Sequence, residues 1–215
     1  MKRAYLKMMM RGVKGSFSRF LSILGIVALG SGFLAGLLAA TPDMGQGADL
    51  FFDEMAVYDL DVKGTLGVTA QDVEALLERD EVEAVMPGYS TDVLLDTEED
   101  KGIVTRLFGV LDLEGTEPAL NKVSLLEGRY PQRADECLLI QLPGYAGGHT
   151  LGDVFTLSPG TENPEHTYAV STFTVVGVAR SPLFLSVEAD RTTVGDGEID
   201  MALYLPKEAY ALSVY

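Results

Sequence analysis

Residues 20–41 read FLSILGIVALGSGFLAGLLAAT and contain no Asp, Glu, Lys, Arg, His, Asn or Gln. At the helical rise this run extends roughly 33 Å, enough to cross a hydrocarbon core of about 30 Å. The pattern therefore predicts a transmembrane helix. A cleaved signal peptide would carry a shorter apolar region, about 7 to 15 residues, closed by a small-x-small site. Here the run ends in Leu38, Ala39 and Ala40, with a bulky side chain where a small one is wanted, and no Cys stands nearby to carry a lipid. The span is read as uncleaved.

The flanks of the span differ. Residues 1–19 place Tyr5, Met8, Met9, Val13 and Phe17 among Lys2, Arg3, Lys7, Arg11, Lys14 and Arg19, with no acidic residue. Such a flank stays cytoplasmic, with Arg11, Lys14 and Arg19 as orienting charges nearest the membrane, and everything after residue 42 lies outside the cell. Two readings of this segment stand side by side: an amphipathic helix attracted to anionic headgroups, or a positive flank that only orients the chain. Inside the span, Gly25, Gly30, Gly32, Gly36 and Ala40 recur, and Gly32 with Gly36 forms a GxxxG that would admit another membrane helix at close range. Thr41 and Pro42 read as N-cap and first residue of a second helix, a stalk over residues 42–57 with Asp43 in its first turn and Met44, Ala48, Phe51, Phe52 and Met55 on one face.

From residue 58 the periodicity shortens. YDLDVK (58–63) alternates as a half-buried strand, Thr69 caps a helix carrying Val73, Leu76 and Leu77, and residues 82–86 give a second strand closed by Pro87 and Gly88. Residues 91–95 and 102–111 read as strands around the acidic loop Asp96, Glu98, Glu99, Asp100. Further strands are predicted at 136–141, 154–157, 173–179 and 201–205, the first two separated by Gly144, Gly147, Gly148 and the turn Gly152–Asp153, and Pro206 opens a helix. The fold class is α+β: one N-terminal transmembrane helix followed by a mixed, β-rich extracytoplasmic domain over residues 58–215, which the pattern reads as incomplete.

Charge sharpens this division. Residues 43–215 hold 10 basic and 32 acidic residues, a net charge of −22, which argues against nucleic acid or anionic lipid as a partner of that region. The 16 Lys and Arg of the whole chain thus include six in the N-terminal flank. Cys137 is the sole cysteine, so no intrachain disulfide forms, and its setting in CLLI reads as a buried core thiol. The acidic loop reads as a solvated hairpin tip. Asp196, Glu198 and Asp200 do not begin an EF-hand loop, because the sixth position is Met201 and the twelfth Lys207. His149 and His166 have no motif around them and read as surface-loop residues. Two His and one Cys fall short of a zinc set, and neither GxSxG nor GxxxxGK[ST] occurs. No catalytic, cofactor or metal residues are assigned, and the chain is not read as an enzyme.

Several stretches together carry a family resemblance: KGSFSRFLSILGIVALGSGFLAG (14–36), TLGVT (65–69), LLEGRYP (125–131), ECLL (136–139), TLGD (150–153), VVGVARSPLFLS (175–186) and VGDGEIDMALYLPKEA (194–209). In these the chain resembles the N-terminal part of FtsX-like, MacB-type ABC transporter permeases. The resemblance implies a first transmembrane helix followed by an extracytoplasmic domain of the MacB periplasmic-core type, in the plasma membrane of a bacterium. It also implies further membrane helices, a cytoplasmic ABC ATPase as partner, and a role in export, lipoprotein release or mechanotransmission. The chain departs from a full member in having one span. The alternative is a single-pass sensor or binding module with an acidic ectodomain.

Overall fold

The computed structural model describes residues 2–114, 117–143, 148–161, 164–186, 188 and 190–212, with side chains from Ala4 onward. Gly144, Gly147 and Tyr215 lie outside the described residues. The chain divides into two compact units, Met1–Phe51 and Phe52–Tyr215.

The first unit is helical. α1 (Lys2–Gly15) and α2 (Phe17–Glu54) are separated by Ser16, whose N–H donates to Gly12 O and Val13 O at 3.2 and 3.3 Å. α2 holds the apolar run with no buried residue, and among the described residues it is the one helix long and apolar enough to cross a membrane. The expectation of a second helix starting at Pro42 is corrected, because α2 passes through Pro42 without a break. Proline's fixed φ is already helical, so its cost in mid-helix is one lost hydrogen bond and crowding of the carbonyl four residues back, and the helix absorbs both. Thr41 is accordingly helical and does not cap.

α2 ends in the second unit. Val57 N–H donates to Phe52 O at 3.0 Å and Ala56 N–H to Asp53 O at 3.1 Å, with Ala56 at φ +47°. This paired pattern is a Schellman ending, with alanine at the left-handed position where glycine is usual. The released backbone is then caught from afar: Ala56 O and Met55 O accept from Asn121 N–H and Lys122 N–H at 2.9 and 2.8 Å, and Asn121 Oδ1 accepts from Tyr58 N–H at 3.2 Å.

The strands of this unit are β1 (Tyr89–Asp96), β2 (Ile103–Leu111), β3 (Ser124–Gly128), β4 (Glu136–Ile140), β5 (Val154–Leu157), β6 (Thr172–Arg180) and β7 (Met201–Pro206). Their order is β3-β6-β4-β7-β2-β1-β5, and β5 also pairs with β6. Six strands thereby close into a ring, with β3 outside it on β6. β2–β7 and β4–β6 are parallel and the remaining pairs antiparallel. Alternation sends Val93, Leu95, Leu107, Leu139, Phe155, Phe173, Val175 and Leu203 into one core, while Leu111, Leu138, Ile140, Ala179, Ala202 and Tyr204 form a second on the opposite face. β4 and β7 serve both cores and are buried at every position, which explains the apolar runs CLLI and MALYL within them.

Two predicted strands are absent. Residues 58–63 and 82–86 are irregular, and Leu60 and Val62 are 82% and 65% exposed. Alternation is a local property, whereas a strand needs a ladder partner, and none of the described residues supplies one there. The helix between them, α3 (Ala70–Leu77), does form, with Thr69 and Asp72 in a reciprocal capping box. The predicted helix after Pro206 is a single 3-10 turn, Lys207–Ala209. β3 was not anticipated; its five residues are all exposed, so they show no burial rhythm.

Candidate functional site

The residues singled out from the sequence are spread over both units. Gly32 and Gly36 share a face of α2, and a Cβ built on either meets nothing within 4 Å. Arg11, Lys14 and Arg19 are exposed, Arg11 and Lys14 in α1 and Arg19 in the first turn of α2.

Cys137 is fully buried, and burial pushes its thiol far above the ordinary range, as its apolar setting predicted. His166 sits exposed in the short α4 (Pro164–Thr167). His149 differs from the surface-loop expectation. Its side chain is 13% exposed, lies edge-on to Phe155 with ring centroids 5.1 Å apart, and points Nδ1 to Asp153 Oδ2 at 3.5 Å. His149 thus packs against Phe155 of the core, which composition alone does not convey.

The acidic loop is the tip of the β1–β2 hairpin. Asp96 accepts from Ser158 Oγ and from Gly102 N–H, and these bonds, assisted by Lys101, hold its carboxyl below the ordinary range. Asp200 Oδ2 accepts from Val104 N–H at 3.1 Å and Asp196 Oδ1 from Glu198 N–H at 3.3 Å. Among the described residues no group of three or more His, Cys, Asp and Glu side chains converges as a metal site.

What the sequence did not reveal is a cleft of about 440 Å³ in the second unit, on the outer face of β1 and β2. Its lining is Tyr58, Asp61, Lys63, Ser90, Asp92, Arg106, Phe108, Leu183, Phe184 and Asp190. The antiparallel register sets Asp92 opposite Arg106. Arg106 Nε donates to Asp92 Oδ1 at 2.7 Å and Nη2 to Oδ2 at 2.9 Å, while Nη1 donates to Asp190 Oδ2 at 2.8 Å and Nη2 to Arg191 O at 3.3 Å. Phe108 stands edge-on to Phe184 at 5.9 Å and to Tyr204 at 5.2 Å, giving the cleft an apolar wall beside its charged floor. Lys63 Nζ pairs with Asp61 Oδ2 at 3.1 Å at the rim.

The electrostatics fix these charges. Burial alone would raise the Asp92 carboxyl, but hydrogen bonds from Arg106 and Thr192 and the nearby positive charges of Arg106 and Lys63 outweigh it and leave the pKa lowered. Hydrogen bonding to Asp92 raises Arg106 against its own burial. Both groups keep their charge near neutral pH, so the pair is suited to holding a shape and a ligand rather than to relaying protons. A cross-strand Asp–Arg pairing was available from the two strand predictions once a register was assigned, but the loop residue Asp190 was not.

A second clasp joins residues that do not line the cleft. Arg129 Nη1 and Nη2 donate to the two oxygens of Glu136 at 2.8 Å each, and Gln132 N–H donates to Glu136 Oε2 at 2.8 Å. The salt bridge thus closes the connection that leads from β3, through LEGRYP, into β4, which ECLL begins. TLGD forms another: Thr150 N–H donates to Asp153 Oδ2 at 2.9 Å and Asp153 N–H to Thr150 O at 3.2 Å.

Among known proteins, no family model matches the chain and no curated protein matches it. Among solved structures it is similar to the periplasmic region of MacB from Actinobacillus actinomycetemcomitans, with 15% identity and a TM-score of 0.41 over 66% of this chain and 56% of that one. It is also similar to the extracellular domain of the noncanonic ABC-type transporter YknZ from Gram-positive bacteria, with 12% identity and a TM-score of 0.39 over 69% of this chain and 72% of that one. The chain thus spans little more than half the length of the MacB region it matches.

Proposed function

We propose that the chain is the N-terminal part of an FtsX-like, MacB-type ABC transporter permease, in which an extracytoplasmic β domain is moved by a cytoplasmic ATPase. The observation that carries this reading is the course of α2. One uninterrupted helix contains the uncharged run, and the residues that follow its end, Met55, Ala56 and Tyr58, are hydrogen-bonded to Asn121 and Lys122 just ahead of β3. A helix whose hydrogen bonds are internal is stiff within lipid and able to transmit displacement. The family stretches LEGRYP, ECLL and TLGD support the same reading, since they contribute turns and a strand of the domain rather than reactive groups.

In this reading residues 20–41 cross the plasma membrane, Arg11, Lys14 and Arg19 remain cytoplasmic, and residues after 42 lie outside. Gly32 and Gly36 receive a further membrane helix of the parent permease. Movement imposed by the ATPase at residues 1–19 travels along α2 to the Asn121 junction. The output is export, lipoprotein release or mechanical signalling to an outside partner.

The test is insertion of a flexible Gly-Ser stretch after Pro42 in the membrane-borne protein with its ATPase. Expression and membrane localisation should persist while output is uncoupled from ATP hydrolysis; preserved output rules out the lever. The cleft with its fixed charges and aromatic wall favours one second reading, a single-pass anchored binding module. Membranes in which the protein never associates with an ATPase would favour that reading.

A further inference from the structure

We propose that α1 is a docking element for anionic lipid headgroups, reading the charge of the cytoplasmic leaflet at the base of the span. The inference rests on the reading of residues 20–41 as membrane-embedded and adds to it a specific lipid chemistry. Lys7, Arg11 and Lys14 are spaced i, i+4 and i+7, so they form one stripe along α1. Tyr5, Met9 and Val13, spaced i, i+4 and i+8, form the opposite stripe, and Tyr5 and Met9 are 68% and 58% exposed.

In water neither stripe is satisfied. Like charges four apart repel, and the first 42 residues hold no carboxylate to relieve Lys7 and Arg11. Tyr5 and Met9 of the apolar stripe stand in solvent, and Val13 is half-buried. An anionic bilayer surface answers both at once, taking Tyr5, Met9 and Val13 below the headgroups and setting phosphate beside Lys7, Arg11 and Lys14. An acidic protein surface would match the charge of Lys7, Arg11 and Lys14 equally well; the direct attachment of α1 to the apolar helix selects lipid. The two helices meet at Gly15 and Ser16, a Gly/Ser pair of the type at which helices bend, so α1 can leave the axis of α2 there.

The experiment uses the full chain in nanodiscs, with an environment-sensitive fluorophore on Met9→Cys and, separately, on Leu29→Cys. Cys137 is fully buried and stays unlabelled. Quenching by acrylamide, a neutral aqueous quencher, is compared between phosphatidylcholine discs and discs with about 30% phosphatidylglycerol. The Met9 probe should be shielded in anionic discs and accessible in neutral ones, with the docked-to-undocked ratio shifting about a hundredfold for three basic residues. The variant Lys7→Gln/Arg11→Gln/Lys14→Gln should abolish the difference, and Lys7→Arg/Arg11→Lys/Lys14→Arg should retain it. A Met9 probe equally accessible in both discs while Leu29 is shielded overturns the proposal alone. Shielding of Met9 that ignores lipid charge and the Gln variant also overturns it, leaving apolar insertion. An accessible Leu29 probe instead removes the membrane-span reading beneath it.

Discussion

Asp92 and Arg106 face each other across the β1–β2 ladder and are joined by two parallel hydrogen bonds of 2.7 and 2.9 Å, a fork-to-fork pair about one-fifth exposed on each side. Asp190 completes the clasp from a distant loop, with Arg106 at its centre. Removing one partner leaves the other charge half-desolvated. Arg106→Met should therefore destabilise the β domain by on the order of 2 kcal/mol, and Asp92→Asn by a similar amount. Combining the two should cost less than the sum of the single changes, which urea unfolding of the four proteins of the cycle would read.

Gly109 lies beneath Tyr210. A Cβ on Gly109 would stand 2.6 Å from Tyr210 Cε2 and 3.0 Å from Tyr89 Cδ2, and those two rings are stacked with centroids 4.6 Å apart. The same tyrosine is fixed at its hydroxyl, which donates to Leu107 O at 3.1 Å and meets Thr91 Oγ1 at 2.9 Å, while Tyr168 donates to Thr91 at 2.7 Å. Gly109→Ala should cost about 1–3 kcal/mol through overpacking. It should also alter the near-ultraviolet circular dichroism, which in a chain without Trp reports chiefly on tyrosine packing.

Ala56 occupies a left-handed backbone position at φ +47°. The conformation costs an L-residue roughly 1 kcal/mol and costs glycine almost nothing. Ala56→Gly should raise the thermal midpoint of the domain slightly; a lowered midpoint would show that this ending of α2 is not populated in solution.

Acid should weaken the fold. Asp92 and Glu136 have lowered pKa values: for Asp92 burial is opposed and outweighed by Arg106 and Thr192, and for Glu136 hydrogen bonding from Arg129 is the largest cause. A carboxyl with a depressed folded pKa contributes stability that is complete above its unfolded pKa, near 4, and is lost as pH falls through the folded one. The urea midpoint should thus be flat from about pH 7 to 5 and fall below pH 4. Glu136→Gln should flatten that acid limb.

Base acts in the opposite sense on buried tyrosines. Burial pushes Tyr204 up to about 12, against a lowering by its hydrogen bond with Ser181. A group with a raised folded pKa contributes stability that is complete below its unfolded value, about 10, and is lost as pH rises through the folded one. Absorbance titration should show Tyr204 ionising only near the alkaline unfolding transition, and Tyr204→Phe should remove one late-titrating phenol.

The sequence by itself determined those features that each segment settles alone. The absence of any strongly polar residue from 20 to 41 is sufficient for an apolar helix, because helical hydrogen bonds are internal to the segment. Thr69 and Asp72 specify a capping box within four residues, and the predicted strand at 154–157 matches β5 residue for residue because Phe155 and Leu157 alternate against one core. Tertiary structure decided whatever required a partner from elsewhere. The alternation of 58–63 equals that of a true strand, yet no ladder receives it, while the exposed SLLEG becomes β3 because β6 offers an edge. Pro42 obeys the rule for a helix start and still lies inside α2, since elongation from both sides outweighs one missing hydrogen bond. The closed ring, the meeting of Arg106 with Asp92 and Asp190, and the clasp of Arg129 on Glu136 all depend on register and closure. Those are fixed by the summed burial of both cores, a quantity no single stretch of the chain contains.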